Sequence, residues 1–390
     1  MMLVPGTNLT FLSSAALFAL GAGVVAWHLR WMRRLPALEA VNDGAACSAR
    51  GPVRCSVIVA ARDEEARIEE TIRRLLAQRG VQLELIVVDD RSRDRTPQIL
   101  EQMSRKDARL KVLRIDQLPE GWLGKCHACH VGAGTATGEW ILFTDADCWS
   151  KPDVLLRALR TAEHEQVDHV TLSSGLAVPS AGLRAGSLLF HLSVANWFSG
   201  VNRDAATAHL GFGAFNLVRA AAYRQCGGYE ALRLTIVDDV KLGLLLRRAG
   251  KRTRAFLGAG DVEAHWGEGL WDTVKLMEKN YFAALEFRLP VAVGICAFIT
   301  ALIALVVLGA ASGTSAGLAA ALAPFFLSAP ASVLARRMGW SPLIALGVPF
   351  ALPVFLCALL NSTYVTVRQG GVRWRETFYS IEALRAGGVR

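Results

Sequence analysis

Apolar residues in the middle of the chain fall into short unbroken runs separated by helical periodicity. CSVIVAA (55–61) is β-branched and bounded by charge, which suits a strand buried on both faces. EEARIEETIRRLLAQ (64–78) then places apolar residues at helical spacing, with acids early and arginines late, as the helix dipole favours. LELIVVDD (83–90) predicts a second buried strand, RTPQILEQMSRKD a helix with Pro97 in its first turn, and KVLRI (111–115) a third strand. Residues 125–137 read as helical, and EWILFTDAD (139–147) as a fourth strand ending on acids. This alternation predicts an α/β domain with a mainly parallel central sheet and function at the carboxyl ends of the strands.

The pattern changes at both ends. Residues 9–27 form an uncharged apolar run long enough to cross a bilayer, followed by Arg30, Arg33 and Arg34. A secretory signal would carry its positive charge in front, so the run reads as an anchor with the amino terminus outside and residue 30 onward in the cytoplasm. Residues 36–54 read as a polar linker. Three further apolar segments cover 290–311, 317–335 and 342–360. Four crossings would leave the basic tail of Arg368, Arg373 and Arg375 outside, against the positive-inside rule. The expectation is therefore that one segment, 317–335 with Pro324 and Pro330, enters the membrane without crossing. The domain boundaries expected are an anchor at 1–35, a cytoplasmic domain at 53–288, membrane segments at 289–366 and a basic tail at 367–390.

Composition agrees with this division. The 390 residues are 52% hydrophobic and 20% charged, with mean hydropathy +0.31. The net charge of +9 gathers beside the apolar segments, which points to an anionic membrane surface rather than to nucleic acid. The eight cysteines show no disulfide framework and read as free thiols in a reducing compartment.

Asp145-Ala146-Asp147 is the sharpest chemical signal. A buried strand delivers two acids separated by one residue, an arrangement that can share one hard cation such as Mg²⁺ or Mn²⁺. Asp89-Asp90 ends a second strand in the same way, and two such clusters on one parallel sheet point to a metal–nucleotide site.

ARDEE (61–65), VVDDRSRDRT (87–96), GK followed by GxxxAxGEWILFTDAD (124–147) and VDDVKLGLLLRRAG (237–250) resemble, in order and spacing, family 2 glycosyltransferases of the GT-A fold. The resemblance covers about residues 53–290. It implies transfer of a sugar from a nucleotide-sugar, UDP-linked in the expected case, with help from Mn²⁺ or Mg²⁺. It places Asp147 on the metal, with Asp145 beside it on the metal or donor. Ala61, Arg62, Asp63 and Glu64 match the nucleoside-binding stretch, although the family usually has Asn where this chain has Asp63. Asp89 and Asp90 match acids near the base and ribose, and Lys125 a lysine that holds the donor. Asp238-Asp239, after the Gly-rich GFGAFNLVR (211–219), matches the acid pair whose second member is the catalytic base, with Asp238 supporting it. An acceptor hydroxyl needs such a carboxylate to take its proton.

KCHACH (125–130) contains C-x-x-C-H, the spelling of a c-type haem attachment site. In the matched pattern this segment is a helix on the sheet, where small cysteines at i and i+3 are core residues. Haem would wedge between nucleotide-binding strands, and no second ligand pair completes a zinc site, so no haem is expected. His265-Trp266 reads equally as a packed pair or an acceptor contact. GLWDTVKLMEKNYFAAL (269–285) reads as an amphipathic membrane-surface helix or as a grip on diphosphate through Lys275 and Lys279. SLLFHLSVANWF (187–198) reads as an interfacial or a buried helix. QxxRW, found in processive family members, does not occur.

The reading that follows is an integral, multi-pass membrane glycosyltransferase moving one sugar to a lipid acceptor at the cytoplasmic face. Within the family, GW-x-GK (121–125) and GGVRWRETFY (370–379) are most similar to hopene-associated, carotenoid and ceramide-type enzymes. The alternatives are a polysaccharide synthase of the same fold and a non-catalytic membrane nucleotide-binding protein.

Overall fold

The computed structural model describes residues 53–178 and 180–389, together with 22–23, 25–27, 29–31 and 35–38. The described residues among 22–31 are helical, and most of the expected amino-terminal span lies outside the described residues. The chain divides into two compact units.

The larger unit comprises 36–177, 197–265 and 379–390. Its seven-stranded sheet has the order β3-β2-β1-β4-β8-β6-β9. The strands are β1 (Arg54–Ala61), β2 (Gln82–Asp90), β3 (Leu110–Ile115), β4 (Trp140–Asp145), β6 (His169–Ser173), β8 (Asn216–Arg219) and β9 (Thr253–Leu257). β1 pairs in parallel with β2 and β4, β2 with β3, and β6 with β9; β8 runs antiparallel between β4 and β6. Val57, Ile58, Val59, Leu85, Ile86 and Val87 are fully buried, as expected of strands covered on both faces.

Helices α1 (Ile68–Leu76), α2 (Thr96–Ser104) and α3 (Gly124–Thr135) link the parallel strands. α3 packs on β1 and β2, and the approach is close at Gly132, where a Cβ would lie 2.7 Å from Ile58 and 3.1 Å from Val88. Cys126 and Cys129 of the same helix are both buried, and burial pushes both thiols up. A second sheet joins β5 (Cys148–Ser150), β10 (Val262–Ala264) and β7 (Gly175–Leu176) in the order β5-β10-β7. The segment read as linker begins inside the fold: Ala37 bridges Leu257 at the sheet edge, with Leu38 buried. α4 (Val154–His164) and α5 (Ala181–Val201) precede β8, and α6 (Ala220–Gln225), α7 (Gly228–Ala231) and α8 (Asp238–Arg248) follow it.

The other unit comprises 1–35, 178–196 and 266–378. It contains α9 (Asp272–Leu276), α10 (Tyr281–Ala284), α11 (Leu289–Ala311), α12 (Ser315–Leu322), α13 (Ser328–Arg337) and α14 (Val348–Gln369). Among the described residues, Leu289–Ala311, Ser315–Arg337 and Pro342–Gln369 are long and apolar enough to cross a membrane. The middle segment is broken by a 3-10 turn at Ala323–Leu327, which contains Pro324.

The single helix expected over 269–285 is instead two short ones. The cause is Ser362 of α14. Its hydroxyl donates to the Glu278 carbonyl at 2.6 Å and accepts from the Phe282 N–H at 3.0 Å. Those two backbone groups would otherwise bond each other across one helical turn. β11 (Gly371–Trp374), β12 (Thr377–Ser380) and α15 (Ile381–Gly387) complete the chain.

Candidate active site

The loops after β1 and β2 are fastened together. The Asp63 N–H donates to Ser92 Oγ at 2.9 Å, the Arg93 N–H to Asp63 Oδ1 at 2.8 Å, and the Glu64 N–H to Thr96 Oγ1 at 2.8 Å. Asp63 and Arg91 hold positive φ angles of 54° and 59°, a conformation that Asp and Asn adopt more readily than most residues. Asp90 is buried and paired with Arg91 at 2.7 Å, with Arg62 4.0 Å away. Asp89 is also buried. Its Oδ1 accepts from the Ser92 N–H, while Oδ2 has no hydrogen-bond partner among the described residues. An orphaned buried carboxylate oxygen is costly unless a ligand or water meets it. Gly124 presses against Asp90 and Arg91, where any Cβ would collide, so the start of α3 adjoins this pocket.

Lys125, on the next residue, reaches the second cluster. Its Nζ lies 2.7 Å from Asp145 Oδ1 and 3.5 Å from Asp238 Oδ1. Burial works against the lysine's charge, but Asp145, Asp238 and Asp239 outweigh it and hold the ammonium well above its usual range. Asp238 is 3% exposed and also accepts from Tyr229 Oη at 2.8 Å. Asp239 Oδ2 accepts from the Gly213 N–H at 2.8 Å, and Oδ1 from the Val240 N–H at 2.8 Å. Burial and the neighbouring Asp238 push the Asp239 carboxyl up to about 6, with Lys125 opposing. The GFG loop makes this approach possible. A Cβ on Gly211 would strike the Asp239 carbonyl, and one on Gly213 would lie 2.6 Å from Asp145 Oδ2.

A buried polar file lies behind Asp239. Asn216 Nδ2 donates to the Asp239 carbonyl at 3.4 Å, so its Oδ1 accepts from His169 Nε2, and His169 Nδ1 accepts from Thr253 Oγ1 at 3.1 Å. Burial lowers His169 to about 4, which keeps the ring neutral and this tautomer in place.

The turn after β4 carries Asp147. Thr71 Oγ1 holds the Ala146 carbonyl at 2.7 Å, and His265 donates from N and Nδ1 to the Asp147 carbonyl at 3.3 and 3.0 Å. Ligand atoms of Asp145, Asp147 and Cys148 lie within 4.8 Å of one another. Burial, then Asp145, raise the Asp147 carboxyl above its usual range, so two close acids share too little positive charge. A hard divalent cation fits the two carboxylates of that set.

Lys125, Asp145, Asp238 and Asp239 are thus gathered in one cluster. Arg62, Asp63, Asp89 and Asp90 form another; Ala61 pairs with Asp89 in the strand register, and the Glu64 N–H is bonded to Thr96 Oγ1. Gly211, Gly213, Tyr229 and Cys148 were not among the sequence candidates. The Gly-rich stretch before Asp238 was the visible signal for Gly211 and Gly213; Tyr229 and Cys148 had none. Lys279 lies 4.0 Å over the Trp374 ring, and Trp271 is 65% exposed.

Residues 56–227 match the family model Glycosyl transferase family 2. The chain is 26% identical over 271 residues to the 4,4'-diaponeurosporenoate glycosyltransferase of Staphylococcus haemolyticus, covering 68% of this chain and 70% of that protein. It is 32% identical over 193 residues to the beta-monoglucosyldiacylglycerol synthase of Trichormus variabilis, covering 48% of this chain and 40% of the relative. Among solved structures, a mannosyltransferase from Pyrobaculum calidifontis in complex with GDP-Man and Mn²⁺ superposes with a TM-score of 0.51 at 18% identity, covering 90% of this chain and 97% of that one. The fold is that of the GT-A glycosyltransferases. The chain carries a glycosyl transferase family 2 domain, and its enzyme class is glycosyltransferase.

Proposed function

We infer that the protein transfers a single sugar from a nucleotide-sugar, most simply a UDP-sugar, to a lipid acceptor at the cytoplasmic membrane face. The observation that carries this reading is the convergence of Lys125, Asp145 and the acid pair Asp238-Asp239. Asp89, Asp90, Arg62 and Asp63 would hold the nucleoside, using the unpartnered Asp89 Oδ2. Asp145 and Asp147 would hold Mn²⁺ or Mg²⁺, which would offset charge on the leaving diphosphate. His265, whose Nδ1 is committed to the Asp147 carbonyl, keeps Nε2 as an acceptor on the same turn.

Asp239 is the base in this reading. Fixed by two backbone N–H groups and raised toward neutrality, it takes the proton of the acceptor hydroxyl as the new glycosidic bond forms. Lys125 holds donor oxygens and steadies the acids. A lipid acceptor is supported by the three apolar helices and by the relatives, whose names specify 4,4'-diaponeurosporenoate and monoglucosyldiacylglycerol. The 3-10 break at Ala323–Leu327 supports a middle segment that enters without crossing, with the tail cytoplasmic.

The test is to incubate the purified protein with radiolabelled UDP-sugars, membrane lipids and Mn²⁺, and to chromatograph the lipid fraction. Labelled lipid that disappears with EDTA is the expected result. Label found only in free sugar or long polymer, or none with any nucleotide-sugar, would overturn the reading. Cysteine accessibility on either side of the membrane tests the topology.

A further inference from the structure

The end of the chain returns to the catalytic unit and docks behind its two working helices. Tyr379 is buried, and its hydroxyl donates to the Trp122 carbonyl at 3.0 Å. Trp122 sits three residues before Lys125 and packs its ring against His127 and His130, at 5.3 and 4.9 Å. α15 buries Leu384, and its last residue, Gly387, is pressed so closely on Leu234 that a Cβ would lie 2.5 Å from Leu234 Cδ1. The Val389 N–H donates to Thr235 Oγ1 at 3.4 Å. Leu234 and Thr235 immediately precede the turn into Asp238 and Asp239. The two segments the tail touches are also bonded to each other. The Leu123 N–H donates to the Arg233 carbonyl at 2.7 Å, and Cys126 Sγ to the Thr235 carbonyl at 3.5 Å.

We propose that residues 379–389 are a clamp that sets the spacing between Lys125 and the Asp238-Asp239 pair, with Tyr379 and Gly387 as positioning residues. The inference rests on the catalytic reading of that cluster. One end of the clamp fixes the entry to α3 through Tyr379, and the other fixes the entry to α8 through Gly387 and Val389. The clamp touches no reacting atom. It acts by holding the residues just before Lys125 and Asp239 against one another, where small displacements cost turnover steeply.

The experiment uses the full chain in lipid nanodiscs and two variants, Tyr379→Phe and Gly387→Val. Tyr379→Phe removes one hydrogen bond and keeps the ring, so the fold is retained. Amide hydrogen exchange should speed up by about tenfold or more at 122–126 and 233–240, with the central strands unchanged. The kcat should fall by about fivefold, with a smaller change in the donor KM. Unchanged exchange in both variants, or faster exchange with wild-type kcat, overturns the clamp. Exchange needs no turnover, so a wild-type protein inactive with every nucleotide-sugar counts against the catalytic reading, while exchange still decides whether the tail holds these segments.

Discussion

Lys125 Nζ lies 2.7 Å from Asp145 Oδ1, joining the helix after the third strand to the acid that ends the fourth. Among the described residues, this lysine is paired with an acid cluster that also contains Asp238 and Asp239. Lys125→Met keeps the length of the side chain and removes the charge. Turnover should fall by about tenfold to a hundredfold as donor oxygens lose their partner. The raised lysine pKa contributes stability at every pH below its usual range, and that contribution fades only in strong alkali. In the variant the acids are left facing each other, so its thermal midpoint should lie well below wild type at pH 8 and approach it near pH 5. An equal deficit at both values would mean that the cluster does not carry this charge balance.

Asp147 tests the metal. Burial and Asp145 hold its carboxyl above the ordinary range, which marks a site short of positive charge. Asp147→Asn should cut turnover by at least about a hundredfold and weaken Mn²⁺ binding, read by electron paramagnetic resonance of the free ion. Activity of this variant that persists in EDTA would remove the metal from the mechanism.

The cysteines of KCHACH should matter only for packing. Both thiols are buried, Cys126 with its Sγ on the Thr235 carbonyl, and both are pushed up. Cys126→Ala with Cys129→Ala should cost about 1–2 kcal/mol of stability in a denaturant titration and leave the metal requirement unchanged. A Soret band in the wild type, or zinc lost stoichiometrically from the double variant, would show a ligand role instead.

Strands were the most legible elements because burial on both faces writes itself as unbroken apolar runs, as in CSVIVAA and LELIVVDD. The acids at their ends were legible for the same reason, since a charged pair closing such a run has few structural uses. Long-range polar contacts were not legible. Nothing in GLWDTVKLMEKNYFAAL announces that Ser362, far along the chain, breaks its helix between Glu278 and Phe282. The pairing of β8 antiparallel to β4 was equally hidden, because NLVR is too short to declare a direction. Gly211 and Gly213 were visible as a Gly-rich stretch, but their need for close approach to Asp239 and Asp145 appears only in three dimensions.

Asp239 separates chemistry from binding, and its pH dependence gives the sign. Its carboxyl is raised to about 6, and a base must be unprotonated to accept the hydroxyl proton. Activity should therefore fall as pH drops through about 6. The kcat/KM profile reports this for the free enzyme, and the apparent value belongs to the coupled group of Asp238, Asp239 and Lys125. Asp239→Asn should lower kcat by about 10²–10⁴ while nucleotide-sugar binding survives, since the proposed donor ligands lie on α3 and at the ends of β1, β2 and β4. Stability should move the other way. A carboxyl raised in the folded state contributes most when both states are protonated and costs stability once pH exceeds the folded value. Removing the charge should raise the thermal midpoint at pH 7.5 and leave it nearly unchanged at pH 4. Asp238→Asn should cost less activity, because its carboxyl supports Lys125 and Tyr229 rather than the acceptor. Wild-type turnover in Asp239→Asn would make Asp238 the next base to test. Lost donor binding in a well-folded Asp239→Asn would assign Asp239 to the metal site.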